Sequence, residues 1–185
     1  MGRGRKVLML GALALGLPLA ACGGGSSAPP QGAAPCPRVV ILADGAELTR
    51  YRAGQARDLT AMVLDARIAG FLTNCDFASR QRDVLDVRVT PIFGAERGPA
   101  AEGRVAELPW FVALSIAADE EVLARVPGTT RITFPPNVPR TQASGQPVLL
   151  SMPITGGRRA SDYVVRVSFQ LTPEELALNR SRGVR

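Results

Sequence analysis

The 185-residue chain contains no histidine. That absence removes the usual general base, the usual activator of a nucleophile and the commonest metal ligand together. Ser-His-Asp and Cys-His catalysis are excluded, as are zinc sites that need imidazole. Lysine is almost missing too, Lys6 being the only one. Positive charge beyond the first few residues therefore rests on arginine alone. A GC-rich genome accounts for that bias; the functional alternative is bidentate recognition of carboxylate or phosphate, which arginine does better than lysine. No basic run is longer than Arg158-Arg159. The clustered positive charge of a nucleic-acid footprint is absent, and no nucleic-acid partner is expected.

The chain also lacks an apolar run of the ~20 residues that a membrane-spanning helix needs. The longest run, residues 7–19, follows Arg3, Arg5 and Lys6 and closes on Leu19-Ala20-Ala21-Cys22. A basic start, an apolar middle and small residues before a cut are the parts of a secretory signal. The Leu-Ala-Ala-Cys ending resembles the lipobox of bacterial lipoproteins. The resemblance implies a diacylglyceryl group on Cys22 and cleavage between Ala21 and Cys22. It also implies a cell-envelope location, anchored to the membrane through the N-terminal lipid and facing the periplasm. Gly23 is not the Asp that retains enterobacterial lipoproteins at the inner membrane, so the outer membrane is the expected site.

Removal of residues 1–21 leaves 164 residues, enough for one domain with a real core. The formal charge of +6 then falls to about +3, because three of the 22 basic residues leave with the signal. After Cys22, residues 23–35 are Gly, Ser, Ala, Pro and Gln with almost nothing to bury, and residues 22–35 read as a flexible tether. The folded domain is expected over residues 36–185. With Cys22 assigned to the lipid, Cys36 and Cys75 remain as the only possible pair. In an oxidising compartment a disulfide between them persists, with two free buried thiols as the alternative.

Within the domain the dominant signal is alternation. Arg38-Val39-Val40-Ile41-Leu42 reads as a short buried strand. Residues 44–58 read as a long connection with one helical turn around Glu47-Leu48. Residues 60–74 alternate with the period of a half-buried strand, disturbed at Gly70, where a bulge is expected. Further strands are predicted over 84–93, 105–116, 122–134, 148–152 and 163–171. Gly94-Ala95-Glu96-Arg97-Gly98-Pro99 reads as a turn, and residues 135–147 as an exposed loop. The period then changes. Thr172-Pro173-Glu174-Glu175 carries the signature of a capped helix start, and the short helix should dock its Leu176 and Leu178 side on the domain.

About seven strands without crossover helices predict an all-β fold, an antiparallel immunoglobulin-like β-sandwich with a short C-terminal helix, with a closed small barrel as the alternative. The cysteines flank the first two strands, so the disulfide is expected to staple sheet neighbours, unlike the inter-sheet bridge of antibody domains. From Cys36 to the Leu171-Thr172-Pro173-Glu174-Glu175-Leu176 ending, the chain resembles a group of alphaproteobacterial exported lipoproteins. That resemblance implies the domain boundaries and carries no activity.

Carboxylates are the only groups left for catalysis. Asp83 and Asp86 should diverge to opposite faces of a strand. Asp119-Glu120-Glu121 sits at a turn with a spacing that matches no known calcium loop, and Glu174 and Glu175 belong to the helix start. No enzyme, cofactor or metal is expected. Trp110 and Phe111 must point to opposite faces; an exposed Phe111 would be a modest sign of a partner surface, with an inter-sheet or helix contact as the favoured alternative. The reading is a membrane-anchored, non-catalytic structural or protein-interaction module whose partner is another envelope protein. A lipid or small-ligand binder is the alternative, and it needs an apolar cavity between the sheets.

Overall fold

In β4, Val84–Arg97, the residues Leu85, Val87, Val89 and Phe93 are fully buried while Arg88 is exposed. Period-two alternation of this kind forces one face of a strand onto a core, and β4 is the spine of a five-stranded sheet. The computed structural model describes residues 1–2, 34–118 and 120–183. Among them are nine strands in two sheets, with a short helix at the C-terminal end.

The five-stranded sheet has the order β2 (Glu47–Tyr51), β3 (Met62–Phe77), β4 and β7 (Arg140–Ser144). The fifth strand, β8 (Val148–Pro153), pairs with the other half of the same flank of β4. β7 and β8 are thus two pieces of one edge, separated by Gly145-Gln146-Pro147. The four-stranded sheet has the order β1 (Arg38–Ile41), β9 (Tyr163–Phe169), β5 (Val105–Ile116) and β6 (Val122–Thr133). Every pairing is antiparallel except β1 with β9, which is parallel. Leu108, Trp110, Val112 and Leu114 of β5 and Val165, Val167 and Phe169 of β9 face the inner side of β4 across the core.

The all-β sandwich class and the C-terminal helix agree with the sequence; the strand count and several boundaries do not. Residues 47–51, expected as part of a connection, form β2, and the helical turn lies just before it, at Ala43–Gly45. Residues 94–97, expected as a turn, continue β4. Residues 140–144, expected as loop, form β7. These segments are held by ladder bonds to β3 and β4 with few large apolar side chains to announce them. The bulge at Gly70 is present as a register shift between Ile68 and Gly70.

Cys36 and Cys75 are bonded, with Cα atoms 5.6 Å apart. The expected relation between their strands is corrected. β1 pairs with β9 in one sheet and Cys75 lies on β3 in the other, so the bridge joins the two sheets. Alternation cannot reveal this, because the partner of β1 is the last strand of the chain.

The helix α1, Pro173–Arg182, starts as the sequence specifies. The Thr172 hydroxyl accepts from the Glu175 N–H at 3.2 Å, and the Glu175 carboxylate accepts from the Thr172 N–H at 2.8 Å. Its docking differs from expectation. Leu176 and Leu178 are only half-buried, and the buried residue is Asn179. The Asn179 amide donates to the carbonyl oxygens of Asp44 and Glu47, both at 2.8 Å. Arg50 pairs with Glu175 at 3.0 Å and Arg180 with Asp44 at 2.8 Å. The helix therefore clamps the crossing from β1 to β2 mainly through polar contacts. Asn179→Ala leaves two carbonyls without their donor and should lower stability by about 1–3 kcal/mol. Chemical denaturation checks this, and an unchanged midpoint would assign the docking to the leucines instead.

Candidate functional site

The outer face of the five-stranded sheet carries a trough of about 840 Å³ at the end formed by β2, β3, β4 and β7. Register builds it. One cross-strand row reads Glu47, Arg67, Gly94, Gln142, and the next reads Thr49, Asp65, Glu96, Arg140. Buried Ala66 and Ala95, whose side chains face the core, supply its backbone floor between these rows. Gly94 leaves the floor open in the middle, and the Arg67 side chain lies beside it, its Nε 3.7 Å from where a Cβ would stand. Glycine inside a strand often marks a place where another group comes close to the backbone.

The four residues of the second row are paired two by two. The Thr49 hydroxyl donates to Asp65 at 2.8 Å. Arg140 donates to Glu96 at 2.8 Å, and that contact holds the Arg140 guanidinium above its ordinary pKa. A surface of matched charges at fixed spacing suits recognition of another polar surface. The two acids of the second row, Asp65 and Glu96, stand opposite each other across β3 and β4, each accepting a bond from its own neighbour.

A smaller concavity of about 380 Å³ lies between β2, the turn after it and the first turn of α1, lined by Arg50, Arg52, Arg57, Glu174 and Glu175. Glu174 is held below the usual carboxylate range by its own backbone N–H first, then by the Thr172 hydroxyl and the Arg57 charge. Asp58 is also lowered, chiefly by the Thr60 hydroxyl, and it caps the turn at Leu59–Ala61. Both shifts belong to capping.

The carboxylates singled out in the sequence do not converge. Asp83 accepts from Ser79 at 2.8 Å, and Asp86 accepts from Ser151 at 2.6 Å. Glu120, in the β5–β6 turn, pairs with Arg166 of β9 at 3.2 Å, while Asp119 lies outside the described residues. Among the described residues no three of His, Cys, Asp and Glu come together to hold a metal. Phe111 is half-buried on the outer face of β5, with the Arg125 guanidinium 4.1 Å over its ring. Residues 3–33, on which the expected lipid-bearing Cys22 and most of the expected signal and tether fall, lie outside the described residues.

Sequence reasoning missed the trough entirely. Gly94, Glu96, Arg140 and Gln142 stood in stretches read as turn and loop. The only available signal was the polar alternation of Arg140-Thr141-Gln142-Ala143-Ser144, which is weak without apolar partners. Comparison with protein-family models, with curated proteins and with solved structures returned no match.

Proposed function

We propose that the chain is an envelope lipoprotein, anchored through Cys22 and facing the periplasm, on the outer membrane. Its sandwich acts there as a non-catalytic module that presents the polar trough to another envelope protein. One observation carries this reading. The chain enters the fold at Cys36, which is bonded to Cys75, and the trough residue Asp65 lies ten positions away along the same strand. At strand rise that separation is roughly 30 Å. The trough also opens on the outer face of its sheet, whereas Cys36 enters on the side of the other sheet. An anchor at the N-terminal end thus leaves the trough free to meet a partner. The lipid or small-ligand alternative has less support, because fully buried Leu85, Val87, Phe93, Trp110 and Tyr163 fill the space between the sheets.

Replacement of Cys22 by Ser should move the protein from the membrane to the soluble fraction of a fractionated envelope. Retention in the membrane would overturn the anchoring. A photo-crosslinking residue at Gln142 should capture a discrete envelope protein that the same probe at exposed Leu59 does not. Equal capture at both positions would remove the trough from the proposal.

A further inference from the structure

A β-sheet edge is a template for another strand, and proteins normally blunt their edges. Four of the edges here are protected. β2 is covered by α1, whose Asn179 takes the Glu47 carbonyl. β6 contains Pro127 and exposed Arg125 and Arg131. The β7–β8 edge is broken at Pro147, and β1 is four residues long and follows Pro37. The exception is the second half of β3. Residues 70–77 pair with β4 on one side, and among the described residues no strand pairs with the other. This segment, Gly-Phe-Leu-Thr-Asn-Cys-Asp-Phe, contains no proline, lysine or arginine. Leu72 is 63% exposed, and Thr73 is exposed although it stands on the core-facing side with Cys75.

The direction of the free backbone groups follows from two bonds. Ala78 N–H donates to the Val84 carbonyl, so the even-numbered residues of this segment face β4. Phe71 stands opposite Pro91, which has no N–H and whose carbonyl accepts from Gly145 on the far side. Phe71, Thr73 and Cys75 therefore aim their N–H and C=O groups outward.

We propose that this edge pairs with the same edge of a second copy of the chain, antiparallel about a two-fold axis at Thr73. In that register Thr73 faces Thr73 of the second copy, and Phe71 faces its Cys75. Leu72 faces Asn74 and Asp76 faces Gly70. The ladder gains about six main-chain bonds and a threonine–threonine cross-strand pair. Asp76 is the only charge on the edge, and no like charge opposes it.

The place where the chain enters the fold favours a second copy over another occupant, a step that rests on the anchoring proposed above. Ala34 packs on the core two residues before Cys36, and Cys36 is fixed to Cys75 on this edge. In the pair, the two Cys75 residues stand four positions apart along the seam, roughly 13 Å. The two-fold axis is perpendicular to the joined sheet. The two Cys36 residues, where the described chain enters each copy, then stand at one seam on the same side of the joined sheet, which suits two anchors in one membrane. Both troughs open on the opposite face.

The full chain, extracted in mild detergent, should sediment as a dimer. Thr73→Pro removes an outward N–H without touching the β4 ladder. It should weaken self-association by roughly tenfold or more while the melting temperature stays close to that of the parent. T73C should give a covalent dimer under mild oxidation, with the bond located at position 73 by mass spectrometry, whereas T129C on the β6 edge should not. A monomeric parent protein, an undiminished dimer in T73P, or equal crosslinking from both edges would each overturn the proposal. The crosslink reads the seam even if the proline variant fails to fold. Run on the Cys22→Ser protein, the same assay separates the two readings: a soluble dimer upholds the seam, and a membrane-bound dimer overturns the anchoring alone.

Discussion

Trp110→Ala should destabilise the domain by about 3–5 kcal/mol, a large share of the roughly 5–15 kcal/mol that holds a typical domain folded. Trp110 is 1% exposed at the centre of the sandwich. Its indole N–H donates to the Thr130 hydroxyl at 2.9 Å, and Thr130 is itself 6% exposed. Removal of the ring opens a cavity and strips a buried hydroxyl of its donor, two costs that add. The aromatic stack beside it, Phe93 at 6.0 Å from Trp110 and Phe169 at 5.5 Å from Phe93, loses a wall as well. Thermal or denaturant unfolding reads the effect. A loss below about 1 kcal/mol would show that the site collapses onto the gap.

Two glycines make the room for that indole. Gly128 is its cross-strand neighbour on β6, and a Cβ there would stand 2.4 Å from the indole Cζ2. Gly145, at the break between β7 and β8, would place a Cβ 3.0 Å from the same atom and 2.8 Å from Pro91. The two residues close on the ring from different sheets. Gly128→Ala should therefore be costly with Trp110 in place and nearly neutral in the Trp110→Ala background. A double-mutant cycle isolates that coupling.

The parts of the fold legible in sequence are those where alternation and burial coincide. Leu85-x-Val87-x-Val89 and Leu108-x-Trp110-x-Val112 reported a strand and its inner face at once, and the helix start was legible because its cap is local chemistry. β2 and β7 were illegible for the opposite reason. Arg140–Ser144 is held by its bonds to β4 while its side chains serve the trough, so no hydrophobic period marks it. The cysteine pairing was correct, yet the sheets it joins were not, since a parallel contact between the first and last strands leaves no trace in either. The trough shares this property: it is a product of register between distant segments.

The Cys36–Cys75 bond yields the last expected result. Its sequence separation is 39, a loop whose closure should stabilise the fold by about 4 kcal/mol in the chain-entropy model. The native contacts add a local reason. β1 has four residues and is bonded to one neighbour only, β9, at the rim of its sheet. Without the bridge nothing covalent holds residues 34–37 against the core, and a strand so short should fray. Cys75 is 8% exposed, so the informative pair of substitutions is Cys36→Ser with Cys75→Ala, which avoids burying a hydroxyl. That variant should melt roughly 8–16 °C below the parent for a domain of this size. In hydrogen exchange, Val39, Val40 and Ile41 should lose protection before Val87 and Val89 do. Equal melting temperatures, or uniform loss of protection across both sheets, would show that the bridge records a proximity that packing already secures.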